Sequence, residues 1–335
     1  LAYGVNNAQI NYNLGNKTTS ENTFIYLINS NVDFNGADIT IANNGLGIYQ
    51  EGASLVQGYN TLNVGDNAAG IYGFATNVSN VGNVIVQGKN AVGLIGEDSN
   101  ITNNAGNVIA TTSDGSVGIY SLLKAPTAST NLVNNGDLNI SGDQSIGIFA
   151  STLDSTGVSI GTTFVQNNNI ITLGNASGIN NATIGIFGTE GVDILNAVGS
   201  QISGGNNVVG IYSEKGTVKH DSAINLGDNS VGIYISAGNA TIDSGASISV
   251  GSTGAVALYA NARGTIINDS SSISVGTGSV LGYSKDSGTL LDNRGNLSIG
   301  TESVGFYSSG GEITNSGNLS SVGDGVVFFY GNNGK

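Results

Sequence analysis

The chain has 335 residues, a net charge of −14, 10 % charged residues, 53 glycines, one proline, and no cysteine, methionine or tryptophan. Nine scattered Lys and Arg residues against 23 Asp and Glu exclude a nucleic-acid surface, which needs clustered positive charge. No ten-residue stretch carries helical apolar periodicity and no apolar run approaches the ~18 residues of a membrane span, so helix-rich and helically membrane-inserted classes are set aside.

From the N-terminus onward one small-Gly-apolar-aromatic unit keeps returning: LGIY at 46–49, AGIY at 69–72, VGIY at 117–120, IGIF at 146–149 and 184–187, VGIY at 209–212 and 231–234, VGFY at 304–307. An enzyme needs its site once, so such a tetrapeptide is no catalytic motif. Its last residue anchors a column: Tyr3, Tyr26, Tyr49, Tyr72, Ile95, Tyr120, Phe149, Phe187, Tyr212, Tyr234, Tyr259, Tyr283, Tyr307, Tyr330. Most steps are 22 to 25 residues; those from Tyr120 to Phe149 and on to Phe187 are 29 and 38. Gly65, Gly88, Gly142, Gly205, Gly227, Gly276, Gly300 and Gly323 each stand seven residues before their member of this column. A fixed period of 20–50 residues marks a solenoid, propeller or array.

Within a period the pattern is strand and turn. In 292–311, a turn at Asp292 to Gly295 precedes an alternating strand with Leu297 and Ile299. A second turn at Gly300 to Glu302 precedes a strand with Val304 and Phe306, and Ser308 to Gly311 turn the chain again. Three short strands and three turns fill one coil of a β-helix. Left-handed β-helices repeat about 18 residues per coil, and propeller blades need about 40. Coils of 22–25 residues with unequal turns therefore predict an all-β, right-handed parallel β-helix of about 13–14 coils. The unbroken period predicts one domain over 1–335. Phe24-Ile25-Tyr26 and Phe328-Phe329-Tyr330 put Phe where inner coils carry Gly, and an opening Leu1 with no capping region suggests a piece of a longer chain.

Two columns carry structural expectations. Gly47, Gly70, Gly93, Gly118, Gly147, Gly185, Gly210, Gly232 and Gly305 should form one crowded stack where a Cβ would meet the next coil, with Phe24, Leu281 and Phe328 as exceptions. The aromatic column should be a packing ladder; truncating Tyr234 would cost about 3–5 kcal/mol if the ring is buried. A sugar-binding aromatic strip is the functional alternative. The absence of cysteine fits export as an unfolded chain, and equally a ladder that needs no staples.

The period breaks where insertions enter two consecutive coils, SLLKAPTAST at 121–130 and ASTLDSTGVSIGTT at 150–163, with a smaller one, GNASGINNAT, at 174–183. Insertions in a repeat map to loops, often on the binding face. Leu122, Leu123 and Pro126 would supply apolar surface, Lys124 a rare positive charge, and Asp154 and Thr156 polar groups on the neighbouring loop. These six residues are the candidate ligand-binding set.

Repeats of the form seen at 134–149 (NNGDLNISGDQSIGIF) and 293–307 (NRGNLSIGTESVGFY) resemble passenger domains of monomeric type V autotransporters, most closely the large adhesins of fusobacteria. Two-partner-secreted filamentous haemagglutinins carry similar coils. The resemblance, over roughly 1–330, implies a surface-exposed right-handed β-helix displayed by an outer-membrane barrel outside this chain. It further implies adhesion to other bacteria, host glycans or host cell-surface proteins such as immune receptors. The chain itself is expected to be monomeric, without cofactor or metal.

β-Helices also host polysaccharide-degrading enzymes, whose sites need converging carboxylates. Asp221 with Asp228, and Asp286 and Asp292 with Arg294, are candidates, but their intervals place them at turns, where Asp is an ordinary turn former. His220 has no nucleophile motif beside it. Asp243-Ser244-Gly245 and Asp286-Ser287-Gly288 fall in the same turn columns, and no P-loop, calcium nonapeptide or metal-ligand cluster is legible. With the resemblance, the expectation is a non-catalytic adhesin segment, with a spacer in the same molecule as runner-up and a polysaccharide-degrading enzyme third.

Overall fold

The computed structural model describes residues 2–13, 15–19, 23–126 and 128–334. It is all-β, and its one helical element among these residues is the single turn Ile179–Asn181. The chain forms a parallel β-solenoid of about fourteen coils, in two compact units, 1–171 and 172–335. Seven strands of the aromatic-bearing sheet fall in each unit, from Ala2–Val5 to Ile146–Ser151 and from Thr183–Gly188 to Val327–Asn332.

One coil shows the plan. Ala69–Phe74 belongs to the aromatic sheet, Asn77–Asn80 to a second sheet and Asn83–Val86 to a third, and Val92–Glu97 then returns to the first. Ala69–Phe74 and Asn83–Val86 each pair in parallel with their counterparts one coil before and one coil after, and Asn77–Asn80, the first strand of its sheet, pairs with Asn100–Asn103 one coil after. Register follows the aromatic column: Tyr3, Tyr26, Tyr49, Tyr72, Ile95, Tyr120 and Phe149 are successive partners in the first unit. Phe187, Tyr212, Tyr234, Tyr259, Tyr283, Tyr307 and Tyr330 are so in the second.

The turn five residues before each aromatic explains much of the Asn and Gly. Asn44, Asn67, Asn90, Asn207 and Asn229 have φ between 51° and 60°, and Gly115, Gly254, Gly278 and Gly325 take the same left-handed place in other coils. Asn and Gly are the residues that enter this region at least cost.

The core is built from one or two apolar side chains per sheet per coil. Ile71, Val78, Val84 and Val86 are buried in one coil, and Ile233, Ala240, Ile248 and Val250 in another. In the aromatic strand the burial order breaks strict alternation: Gly70 and Ile71 are both buried, and the flanking Ala69 and Tyr72 are half-exposed. The glycine column occupies the crowded place expected of it. A Cβ on Gly47, Gly70, Gly185, Gly210 or Gly232 would lie 2.5–2.6 Å from the carbonyl oxygen of the corresponding residue in the next coil. At Leu281 the roles swap. Leu281 is buried, and Gly282, where other coils carry Ile or Leu, leaves the room that Phe306 fills in the next coil.

The last inward place of the second sheet is polar. Asn80, Asn103, Asn134 and Asn167 are fully buried in the first unit, and each Nδ2 donates to the next Oδ1 at 2.7–2.8 Å. The buried Asn268 and Asn293 continue the pattern in the second unit, donating to Asn293 and to the exposed Asn315 at 2.7 and 2.6 Å. A ladder of this kind satisfies buried amides that would each otherwise cost about 1–3 kcal/mol.

Candidate binding site

The two large insertions leave the coil at the same corner, between the aromatic sheet and the second sheet of the first unit. Their bases are tied together. Leu123 N–H donates to the Ser151 carbonyl at 2.8 Å, and Ser129–Asn134 pairs with Thr162–Asn167 along its whole length. The expectation that adjacent coils hold these loops side by side is thus met in the geometry; Thr127, inside the first, lies outside the described residues.

The six candidate residues do not form one surface. Leu122 ends the aromatic strand half-exposed, paired with Glu97 and Ser151, and Pro126 is exposed. Leu123 is fully buried, anchoring the loop beneath Gly161 rather than facing a ligand. Lys124 is exposed, but its Nζ lies 2.9 Å from Glu97 Oε2, so its charge is taken by the preceding coil and not by Asp154. Its backbone N–H, with that of Ala125, donates to Asp98 Oδ1 at 2.6 and 2.7 Å.

Asp154 and Thr156 are spent within their own loop. Segment 152–160 is a small hairpin, with an antiparallel bridge between Leu153 and Ser159 and a tip at Asp154 to Gly157. Asp154 Oδ1 accepts from Thr156 Oγ1, Thr156 N and Val158 N at 2.6, 2.8 and 3.0 Å. The Thr156 hydroxyl and these amides hold the Asp154 carboxyl below its usual range. An Asx-type tip of this sort is turn chemistry.

The end of the first insertion does line a groove. Residues Asp98, Asn100, Ser129 and Thr130 form one side of an open polar groove of about 460 Å³, and Thr76, Asn77 and the tight corners of the two preceding coils form the rest. Asn77 and Asn100 are register partners whose amides bond at 3.1 Å, and Asn100 Oδ1 also accepts the Asn131 N–H at 2.9 Å. The outward column Asn77, Asn100, Asn131 then meets the exposed Phe164. None of Asp98, Asn100, Asn77 or Phe164 was singled out by sequence reasoning. The available signal was the acidic pair Glu97-Asp98 in the coil immediately before the first insertion.

The aromatic column lies on the outside of its sheet, with rings half-exposed through the middle of each unit. Tyr26–Tyr49 and Tyr49–Tyr72 stack at 4.5 and 5.7 Å, and Tyr212–Tyr234 and Tyr234–Tyr259 at 4.7 and 4.5 Å, all within 11° of parallel. The cost expected for a buried ring therefore does not apply to Tyr234; each stacked pair contributes about 0.5–1.5 kcal/mol beyond its burial. In these runs the faces cover one another and only ring edges turn outward. Face-on stacking of a sugar would have no open face there.

The carboxylate candidates separate. Asp221 and Asp243 both reach Lys219, at 2.6 and 3.0 Å, while Asp228 Oδ1 accepts the Ser252 N–H at 2.7 Å. Burial raises the Asp221 carboxyl, whereas the bond from Lys219 lowers that of Asp243. Arg294 pairs with Asp292 at 2.7 Å, and Asp286 sits in a left-handed turn with φ 68°. Among the described residues no group of three His, Cys, Asp or Glu is placed to hold a metal. No family model, curated protein or solved structure matches the chain.

Proposed function

We propose that the chain is a segment of a bacterial cell-surface adhesin, displayed from the outer membrane, that binds without catalysing. The partner is a host cell-surface protein or glycan, or another bacterium. The observation that carries this reading is the polar groove, which the regular coils before the first insertion form together with Ser129 and Thr130 at that insertion's end. Loops on a rigid scaffold are where recognition concentrates, and a groove lined by amides, hydroxyls and a carboxylate suits a polar ligand. The one lysine beside it is already paired with Glu97, so the site favours a neutral or cationic surface over an anionic one.

The test trims 121–130 and 150–163 to the regular period, confirms an unchanged β-sheet circular dichroism spectrum, and measures attachment to host cells and to partner bacteria. Attachment should fall at least tenfold. A second variant, Ser129→Arg, places a long side chain in the groove from an exposed position and should weaken attachment with no loss of stability. Full attachment by both folded variants would overturn the groove as the binding site and leave the segment as a spacer.

A further inference from the structure

We propose that Tyr26 and Tyr49 form an oxidative cross-linking site, at which a one-electron oxidant, a haem peroxidase supplied with hydrogen peroxide, joins two adjacent coils through a dityrosine bond. The inference is independent of what the groove binds.

Four observations converge on this pair. The two residues are register partners in a parallel ladder, so the backbone holds them side by side. Their rings lie 4.5 Å apart and 7° from parallel, and both are half-exposed, within reach of an outside oxidant. The Tyr49 hydroxyl donates to Glu51 Oε2 at 2.9 Å, which gives the phenolic proton a base to move to as the electron leaves. Finally, the chain has no Cys, Met or Trp, so no more easily oxidised side chain competes for the oxidant. Tyr59, by contrast, is buried with its hydroxyl bonded to Asn80, away from the outer column.

Each phenol gives one electron to the oxidant and one proton to its surroundings, Tyr49 to Glu51 and Tyr26 to water. The two phenoxyl radicals couple at ring carbons ortho to the oxygens, forming one carbon–carbon bond. The hydrogens on those carbons then move to the phenolic oxygens as the rings regain aromaticity. The protein loses two electrons and two protons, and one hydrogen peroxide is reduced to two waters. The product is a covalent tie between successive coils in a chain that can form no disulfide.

The second unit supplies an internal comparison. Tyr234 and Tyr259 stack equally closely, at 4.5 Å and 11°, but the Tyr234 hydroxyl accepts a bond from Asn261 Nδ2 at 3.0 Å, and no bond to a carboxylate is seen there. Proximity is matched and the proton acceptor is not.

The experiment treats dilute chain with peroxidase and hydrogen peroxide, follows dityrosine fluorescence, and maps links by peptide mass spectrometry as a loss of two hydrogens. A Tyr26–Tyr49 link should form within one chain at a rate independent of protein concentration. It should form several-fold faster than a Tyr234–Tyr259 link. Tyr49→Phe keeps the ring stack and should abolish the link, and Glu51→Gln should slow it several-fold without changing the Tyr234–Tyr259 rate. The proposal is overturned if the links are between chains and scale with concentration. It is also overturned if Glu51→Gln leaves the rate unchanged, or if chain unfolded in denaturant gives the same link in the same yield.

Discussion

His220 fills a place that asparagine holds elsewhere in the second sheet, between Asn196 and Ile242. It is fully buried and mimics an amide: Nδ1 accepts from Asn196 Nδ2 at 3.1 Å, and Nε2–H donates to the Ser247 carbonyl at 3.2 Å. Only the neutral ring protonated on Nε2 satisfies both partners. Burial accordingly pushes its pKa down to about 4. As pH falls, the unfolded chain takes up a proton from about pH 6.5, while the folded chain resists until about pH 4. The contribution is thus complete above pH 6.5 and is lost between 6.5 and 4, on the order of 3 kcal/mol in all. Asp221, raised by burial, and Asp243, lowered by Lys219, titrate beside it, so the difference between wild type and His220→Asn isolates the histidine. Chemical denaturation of both proteins from pH 7.5 to 4 should show a steeper loss in the wild type. Parallel curves would refute the assignment.

At the scale of the strand, the glycine column sets how closely coils stack. A Cβ on Gly210 would sit 2.6 Å from the Gly232 carbonyl oxygen and 3.3 Å from Ile224 Cγ2, and the nearer atom is backbone. Gly210→Val should cost about 3 kcal/mol by overpacking, read from a shift in denaturation midpoint with little change in slope. A loss below ~1 kcal/mol would mean that neighbouring coils part freely. This column was legible in the sequence because its spacing to the aromatic is fixed by the strand. The asparagine ladder was not. Asn80, Asn103 and Asn134 stand beside turns, where asparagine is also the ordinary turn residue, and only their inward direction tells the two roles apart. The candidate site was legible by position alone. The period break located the loops, but Lys124 finds Glu97 27 residues upstream and Leu123 turns into the core, outcomes set by the path of an irregular loop.

For the whole molecule, each coil contacts its immediate neighbours, so stability within a unit should behave as a sum of coil and interface contributions. Ile202→Val and Ile299→Val remove one methylene each from fully buried places in well-separated coils. Each should cost about 0.5–1.5 kcal/mol, and the double variant should match the sum within about 0.5 kcal/mol. Ile211→Val with Ile233→Val alters register partners in touching coils, and should deviate from additivity by about 0.5 kcal/mol or more. Equal coupling in both pairs would show that the unit responds as a block.

The asparagine ladder has a direction. Wherever two coils are joined by these amides, the earlier coil donates and the later one accepts, and the histidine at position 220 keeps the same sense. A duplicated coil would therefore present to its neighbours the same acceptor behind and the same donor ahead as its template. Such a gene can lengthen or shorten by whole coils without orphaning a buried amide, whereas gaining half a coil would leave a donor facing a gap. Ile242 marks the tolerated exception, because the ring before it finds a backbone carbonyl instead. Length in this architecture is a heritable variable that changes in units of one coil.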